Sequence, residues 1–215
     1  MERVNFYVDG YNFYFGLKQK KKSEKDWQRF YWLNFVRFFE LFIGQNQVLQ
    51  NVYYFTAPPL QPNKSNRQSE LLEANKAING SRFDVVKGQF YEKKITCKVC
   101  KSTYTVLEEK RTDVNLSIRM LIDCTIHNVD TIVLVSADSD FIPPLQFIRE
   151  HYPNIKIRVY FPPCMNSSAL SAFMKDLNKD VIRLENNKVK FNNSIMPDTI
   201  SIDGISYTIP DKWKI

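Results

Sequence analysis

The chain has 215 residues, 44% of them hydrophobic and 14% aromatic, with 30 Lys+Arg against 23 Asp+Glu. That composition excludes a disordered or collagen-like chain, and at this length one core can bury roughly 70% of the unfolded surface, so a single domain is expected. The net charge of +7 suits a polyanionic partner without requiring one. The most hydrophobic stretch, Phe30 to Ile43, is interrupted by Asn34, Arg37 and Glu40, which leaves it well short of the ~20 apolar residues of a membrane span.

In chain order, Arg3 to Val8 reads as a short apolar strand ended by the turn formers Asp9-Gly10-Tyr11-Asn12. The N-terminus enters this strand with no signal-peptide pattern, so a cytoplasmic location is expected. A lysine cluster follows (Lys18, Lys20, Lys21, Lys22, Lys25), then Trp27 to Ile43 as a helix apolar around most of its circumference, stopped by Gly44. That helix belongs either in the core or at a homodimer interface. Asn51 to Ala57 is a second strand closed by Pro58-Pro59, Gln61 to Ser69 a polar loop, Glu70 to Ile78 a helix, and Phe83 to Phe90 a third strand. Tyr91 to Lys110 is a polar insertion, expected to be a small hairpin, that carries Cys97-Lys98-Val99-Cys100.

Thr112 caps a predicted helix through Asn128, and Thr131 to Ser136 is the clearest buried strand, ending in Ala137-Asp138-Ser139-Asp140. A helix (Pro143 to His151), a strand (Lys156 to Phe161), a helix (Ser168 to Leu177) and a short strand (Asp180 to Leu184) complete the pattern. This alternation predicts an α/β fold: a doubly wound, mostly parallel sheet with helices on both faces over residues 1–185. Residues 186–215 form a tail or hairpin turning at Asp203-Gly204.

In open α/β sheets ligands bind beyond the carboxyl ends of the strands. Asp9 follows the first strand, Asp138 and Asp140 follow the buried strand, and Asp113 opens the helix leading into it. Four converging carboxylates would repel one another unless a hard cation neutralised them, and Mg²⁺ or Mn²⁺ fits an all-oxygen ligand set. Singly, each acid also has a local role, as a turn residue or a complement to a helix dipole. The two histidines, His127 and His151, sit in no motif, which favours a metal-dependent over a histidine-based mechanism. No Gly-rich phosphate loop of the Walker or dinucleotide type is present, which counts against ATP or NAD.

Three segments resemble the motifs of the NYN-domain family, relatives of the PIN-domain nucleases: Val8-Asp9-Gly10-Tyr11-Asn12-Phe13, Glu108 through Leu116, and Val135-Ser136-Ala137-Asp138-Ser139-Asp140-Phe141. Order and spacing match as well. The likeness extends through Phe161-Pro162-Pro163 and Ser168-Ala169-Leu170, and the tail from Met196-Pro197 to Pro210-Asp211-Lys212-Trp213 is similar to the ending of a bacterial branch. What the resemblance implies is a PIN-like fold in which Asp9, Asp113, Asp138 and Asp140 form a Mg²⁺/Mn²⁺ site for hydrolysing RNA. Two other classes stay open: a non-catalytic RNA-binding or regulatory adaptor, and a phosphatase or nucleotide hydrolase acting on a small substrate.

Around those acids, Asn12 and Ser136 are candidates to orient water or contact RNA phosphate, against simple turn hydrogen bonding. Lys110 and Arg111 are candidates to hold a phosphate of the scissile strand, and the Lys18 to Lys25 cluster an RNA track, against solvated charge. Tyr11, Phe13, Tyr14 and Phe15 either stack on bases or pack in the core. Cys97 and Cys100 have the spacing of half a structural Zn²⁺ knuckle, a pairing that also resembles that of some NYN proteins; free thiols are the alternative. Cys124 reads as a small buried hydrophobe.

Overall fold

Alternating apolar side chains on the first strand set the architecture. In the computed structural model, which describes residues 1–214 apart from the side chain of Leu107, β1 (Glu2–Asp9) buries every residue from Val4 to Asp9. Such two-sided burial requires a layer of helices on each face. The chain continues through α1 (Gly10–Ser23), a 3₁₀ segment (Lys25–Tyr31), α2 (Phe35–Glu40), β2 (Gln47–Thr56), α3 (Pro62–Asn79) and β3 (Phe83–Lys87). A hairpin, β4 (Gln89–Thr96) with β5 (Thr103–Lys110), precedes α4 (Thr112–Thr125), β6 (Thr131–Val135), α5 (Ile142–His151), β7 (Lys156–Phe161), α6 (Ser168–Asp176) and β8 (Ile182–Arg183). Then come α7 (Lys188–Asn192) and a second hairpin, β9 (Thr199–Ile202) with β10 (Ile205–Thr208).

Six strands form one parallel sheet in the order β3-β2-β1-β6-β7-β8. From β1 the chain winds outward to β3, then returns beside β1 to begin β6 and winds the other way. The direction of winding therefore reverses between β1 and β6, and the carboxyl ends of those two strands are where open α/β sheets bind ligands. This is the PIN-like, doubly wound fold, and among the described residues the central sheet is parallel throughout.

One face of the sheet, through Val4, Phe6, Val8, Val52, Tyr54 and Val133, packs on α1, the 3₁₀ segment, α2, α3 and α7. Phe6 stacks on Phe39 with ring centroids 4.4 Å apart, and Phe38 meets Phe191 at 4.3 Å. The other face, through Tyr7, Phe55, Ile132, Leu134, Val159 and Phe161, packs on α4, α5 and α6. The tail folds back on the first face. Trp213 lies against Tyr31, and Trp32 Nε1 donates to the Pro197 carbonyl at 2.8 Å.

Several predicted boundaries move. The single helix expected over Trp27 to Ile43 is two pieces, because the Asn34 side chain accepts from the Arg37 N–H at 3.0 Å and caps a new helix, while Leu33 bridges to Ile195. Asn75, fully buried, holds the break: its Oδ1 accepts from Phe35 N and its Nδ2 donates to the Leu33 carbonyl. The polar stretch Gln61 to Ser69 is mostly the start of α3, with Pro62 in its first turn, where proline costs the helix nothing. The lysine cluster lies largely on α1. Thr112 is not the cap of α4; Arg111 holds that place in the left-handed region (φ 77°), and the Thr112 hydroxyl donates to the Glu109 carboxylate.

The third predicted strand divides at Gly88 into β3 and β4. A Cβ at Gly88 would collide with Thr112 Oγ1 and lie 2.8 Å from the Lys110 carbonyl, so only glycine lets the hairpin base press against the start of α4. The hairpin itself and the turn at Asp203-Gly204, both residues at positive φ, are as expected. No helix among the described residues is long and apolar enough to cross a membrane.

Candidate functional site

Parallel register puts Val8 beside Val135, so the residues that follow, Asp9 and Ser136, leave the sheet side by side. Asp9 is the N-cap of α1: Oδ1 accepts from the Asn12 N–H at 3.0 Å, and Oδ2 accepts from the Ser136 hydroxyl at 2.9 Å. Ser136 Oγ in turn accepts from the Asp138 N–H at 3.1 Å, and Asp138 Oδ1 from the Asp140 N–H at 3.0 Å. Asn12 Oδ1 accepts from the Ala137 N–H at 3.3 Å, which ties the start of α1 to the loop after β6. Ser136 and Asn12 thus serve as brackets, engaged with the loops that carry the acids.

Asp113 reaches the same edge from the first turn of α4. Its carboxyl is raised above the usual range, first by burial and then by the charges of Asp138, Glu109 and Asp140. Asp9, 4% exposed, is raised further, to about 6: burial dominates, the bonds from Asn12 and Ser136 act against it, and Asp113 and Glu109 add repulsion. Five carboxylates therefore share one electrostatic neighbourhood at the switch point. Glu109, at the end of β5, was not singled out in the sequence although it lies inside a matched motif; its place four residues before Asp113, across the turn that opens α4, was the available signal.

Among the described residues no three His, Cys, Asp or Glu side chains are gathered so closely that they could hold a metal ion as they stand. The donor chemistry still fits a hard divalent cation. All the nearby groups are oxygens, a raised buried carboxylate gains from an adjacent positive charge, and Mg²⁺ is often held by only one or two carboxylates and water.

The remaining candidates divide. Lys110 Nζ pairs with Glu108 at 2.9 Å, and Lys20 with Glu24 at 2.6 Å, so neither charge is free. Arg111 lies over the Tyr91 ring, 5.9 Å from its centroid. Phe13 is core, whereas Tyr11 and Tyr14, 49% and 38% exposed, lie on the first turns of α1, the helix that Asp9 caps. Cys124 is fully buried on α4. Cys97 and Cys100 sit at the hairpin tip, and among the described residues no third ligand lies near them.

Beneath the site lies a buried polar network that the sequence reading missed. Asp123, fully buried on α4, accepts from the Tyr7 hydroxyl at 2.7 Å and from Asn5 Nδ2 at 3.2 Å. Arg119 stands 2.8 Å from its other oxygen, an ion pair off the hydrogen-bond line, and covers the Tyr53 ring. Asn5, Tyr7 and Asp9 lie on one face of β1, so this network fixes α4, and with it Asp113, against the strand that carries Asp9.

The NYN domain model matches residues 3–177. The chain belongs to the NYN-domain family. It is 26% identical, over an alignment of 207 residues covering 80% of this chain, to the 6-hydroxy-3-succinoylpyridine 3-monooxygenase HspA of Pseudomonas putida (strain DSM 28022 / S16). The chain spans 64% of that protein's length. A crystal structure of a protein of unknown function, VPA0982 from Vibrio parahaemolyticus RIMD 2210633, superposes with a TM-score of 0.54 at 18% identity, covering 85% of this chain and 93% of that one. At that identity the likeness speaks for the fold alone. The NYN domain is a PIN-like, nuclease-type domain, which gives the acidic edge at the switch point its context.

Proposed function

We propose that this NYN protein is a Mg²⁺- or Mn²⁺-dependent ribonuclease that hydrolyses RNA phosphodiester bonds at the edge formed by Asp9, Asp113, Asp138 and Asp140. The observation that carries the reading is the assembly at the switch point: Asp9 and Asp138 bracketed through Ser136, with Asp113, Asp140 and Glu109 close enough to shift the carboxyls they face. Asp9 and Asp138 would hold the ion, and Asp113 and Asp140 would complete the site through water or on substrate binding. The cation would offset charge developing on the phosphodiester and ease deprotonation of the attacking water. The chain's own part is orientation. Asp9 is fixed by two hydrogen bonds on a buried strand end, and Asp138 by a backbone bond to Ser136, so neither must reorganise at the moment of reaction. Arg111 and the outward tyrosines of α1 would receive phosphate and base.

Purified protein should cleave single-stranded or structured RNA with Mn²⁺ or Mg²⁺ and not with EDTA. Asp9→Asn or Asp138→Asn should lower the rate by more than about a hundredfold without unfolding the protein. Cleavage that persists in EDTA, or in both variants, overturns the metal mechanism; RNA binding without cleavage selects the adaptor. The name of the Pseudomonas relative brings a second reading, oxidation of a hydroxylated pyridine ring, which predicts dioxygen uptake with such a substrate and intact RNA.

A further inference from the structure

The β4–β5 hairpin leaves the body of the protein at Gly88 and returns at Arg111, forming its own two-stranded sheet. Its last ladder pair is Thr96 with Thr103, and the tip between them is built as a knuckle. The Cys97 N–H donates to the Ser102 carbonyl at 2.8 Å, the Lys101 N–H returns to the Cys97 carbonyl at 2.9 Å, and Lys101 takes the left-handed conformation at φ 60°. This tight turn brings both thiols to one side of the tip. Cys100 Sγ lies 2.9 Å from the Ser102 hydroxyl at this turn. Both thiols are free, Cys100 exposed and Cys97 partly so.

Two thiolates at this spacing are half of a tetrahedral zinc site. Among the described residues no further His, Cys, Asp or Glu stands close enough to supply the other half. Helices α4 and α5 run against the strands, so His127 and His151, at their far ends, lie at the opposite edge of the sheet from the hairpin. Cys124 is fully buried, and Cys164 follows β7, four strand spacings (~19 Å) from the β3 edge where the hairpin begins.

We propose that the hairpin tip is a zinc-bridged dimerisation device, in which Cys97 and Cys100 of two copies of this chain complete one Cys₄ site on a two-fold axis. A second copy presents an identical half-site, which an isologous contact needs. Charge agrees: four thiolates around Zn²⁺ leave two negative charges, and Lys98 and Lys101 of both copies surround the ion with positive ones. Without the metal the same lysines repel, so the dimer is metal-dependent. The proposal stands apart from the nuclease reading and does not use the acidic edge.

Full-length protein purified reduced and without chelator should contain one zinc per two chains. Light scattering should give twice the 25.4 kDa of one chain. A strong zinc chelator, or Cys97→Ser with Cys100→Ser, should return the monomer at unchanged thermal stability of the main domain. Should the double variant fail to fold, Co²⁺ added to the apo wild type decides, since four thiolates in a tetrahedron give intense ligand-to-metal and visible bands that saturate at half a metal per chain. Saturation at one metal per chain, absence of any tetrahedral thiolate spectrum, or a dimer that survives both chelation and cysteine replacement overturns the proposal. RNA cleavage by the monomeric variant would leave the nuclease reading standing, so the two can fail separately.

Discussion

Replacing Asp9 by Asn should stabilise the metal-free protein at neutral pH while removing its RNA cleavage. Burial raises this carboxyl from an ordinary 3.8 to about 6. Between those values the folded chain therefore holds a proton that the unfolded chain has released. Because the folded state binds more protons there, stability falls as the pH rises from about 4 to about 6, and is flat above. At about 1.4 kcal/mol for each tenfold change in proton affinity, the ionised Asp9 costs the apo fold up to roughly 3 kcal/mol above pH 6. Asparagine removes the charge and keeps the N-cap acceptor toward Asn12, but loses the charge-assisted bond from Ser136, a loss of about 1 kcal/mol.

The expected net gain is about 2 kcal/mol at pH 7.5, shrinking to about zero or slightly below at pH 4. Urea denaturation of both proteins in EDTA at half-unit intervals from pH 4 to 8 measures the difference directly. Other acids titrate in both chains, so the difference isolates Asp9 and whatever couples to it. A difference that does not change with pH, or a variant less stable than wild type at pH 7.5, would refute the claim that Asp9 is held as a destabilised carboxylate. Mg²⁺ should then stabilise the wild type and not the variant, since only a group that binds in the folded state shifts the equilibrium.

Asp123→Ala should destabilise by about 3–5 kcal/mol, since it strands the Arg119 charge and the buried Tyr7 and Asn5 donors, whereas Tyr7→Phe should cost only about 1.5–3 kcal/mol; denaturation of both and of the pair checks the coupling. Gly88→Ala should loosen the junction of hairpin and α4, seen as faster amide exchange at Lys110 to Asp113 and reduced cleavage, because Thr112 Oγ1 and the Lys110 carbonyl occupy the space of the new methyl. Arg111→Ala should lower the slope of log affinity against log salt for single-stranded RNA by roughly 0.7, measured on an Asp138→Asn background that blocks turnover. Lys110→Ala should change that slope less, since its ammonium is already paired with Glu108.

The fold was legible where periodicity and burial agree. Thr131 to Val135 is buried at every position and apolar from Ile132 to Val135 because both its faces are covered, and the alternation of such runs with helices leaves little choice but a doubly wound parallel sheet. Legibility failed where a side chain outcompeted the backbone pattern. Nothing in the apolar run from Trp27 to Ile43 announces that Asn34 will cap rather than face solvent, because the residue that holds the break open, Asn75, bonded to Phe35 N and the Leu33 carbonyl, is about forty residues away in the chain. The start of α3 was missed for the opposite reason: a helix whose first two turns are polar carries no periodic signal, and only the proline marks its beginning.

The site was legible for a different physical cause. A carboxylate at the end of a buried parallel strand is expensive, so its presence there already asks for a compensating group. Asp9 and Asp138 satisfy part of that demand with backbone N–H groups and Ser136, and their hydrogen bonds hold the loops of both strands in one arrangement before any cation arrives. What remains unsatisfied is charge, and it is shared with Asp113, Asp140 and Glu109, which come from α4, the loop after β6 and β5. The end of β1, the β5–α4 junction and the segment after β6, distant from one another in sequence, thus converge on one uncompensated negative edge. Asp123 fits the same logic in reverse: with Arg119, Tyr7 and Asn5 around it, its charge is compensated inside the protein, so it holds α4 in place and has no call on a ligand. Of two buried aspartates facing the same side of β1, the one left short of positive charge is the one proposed to hold the cation.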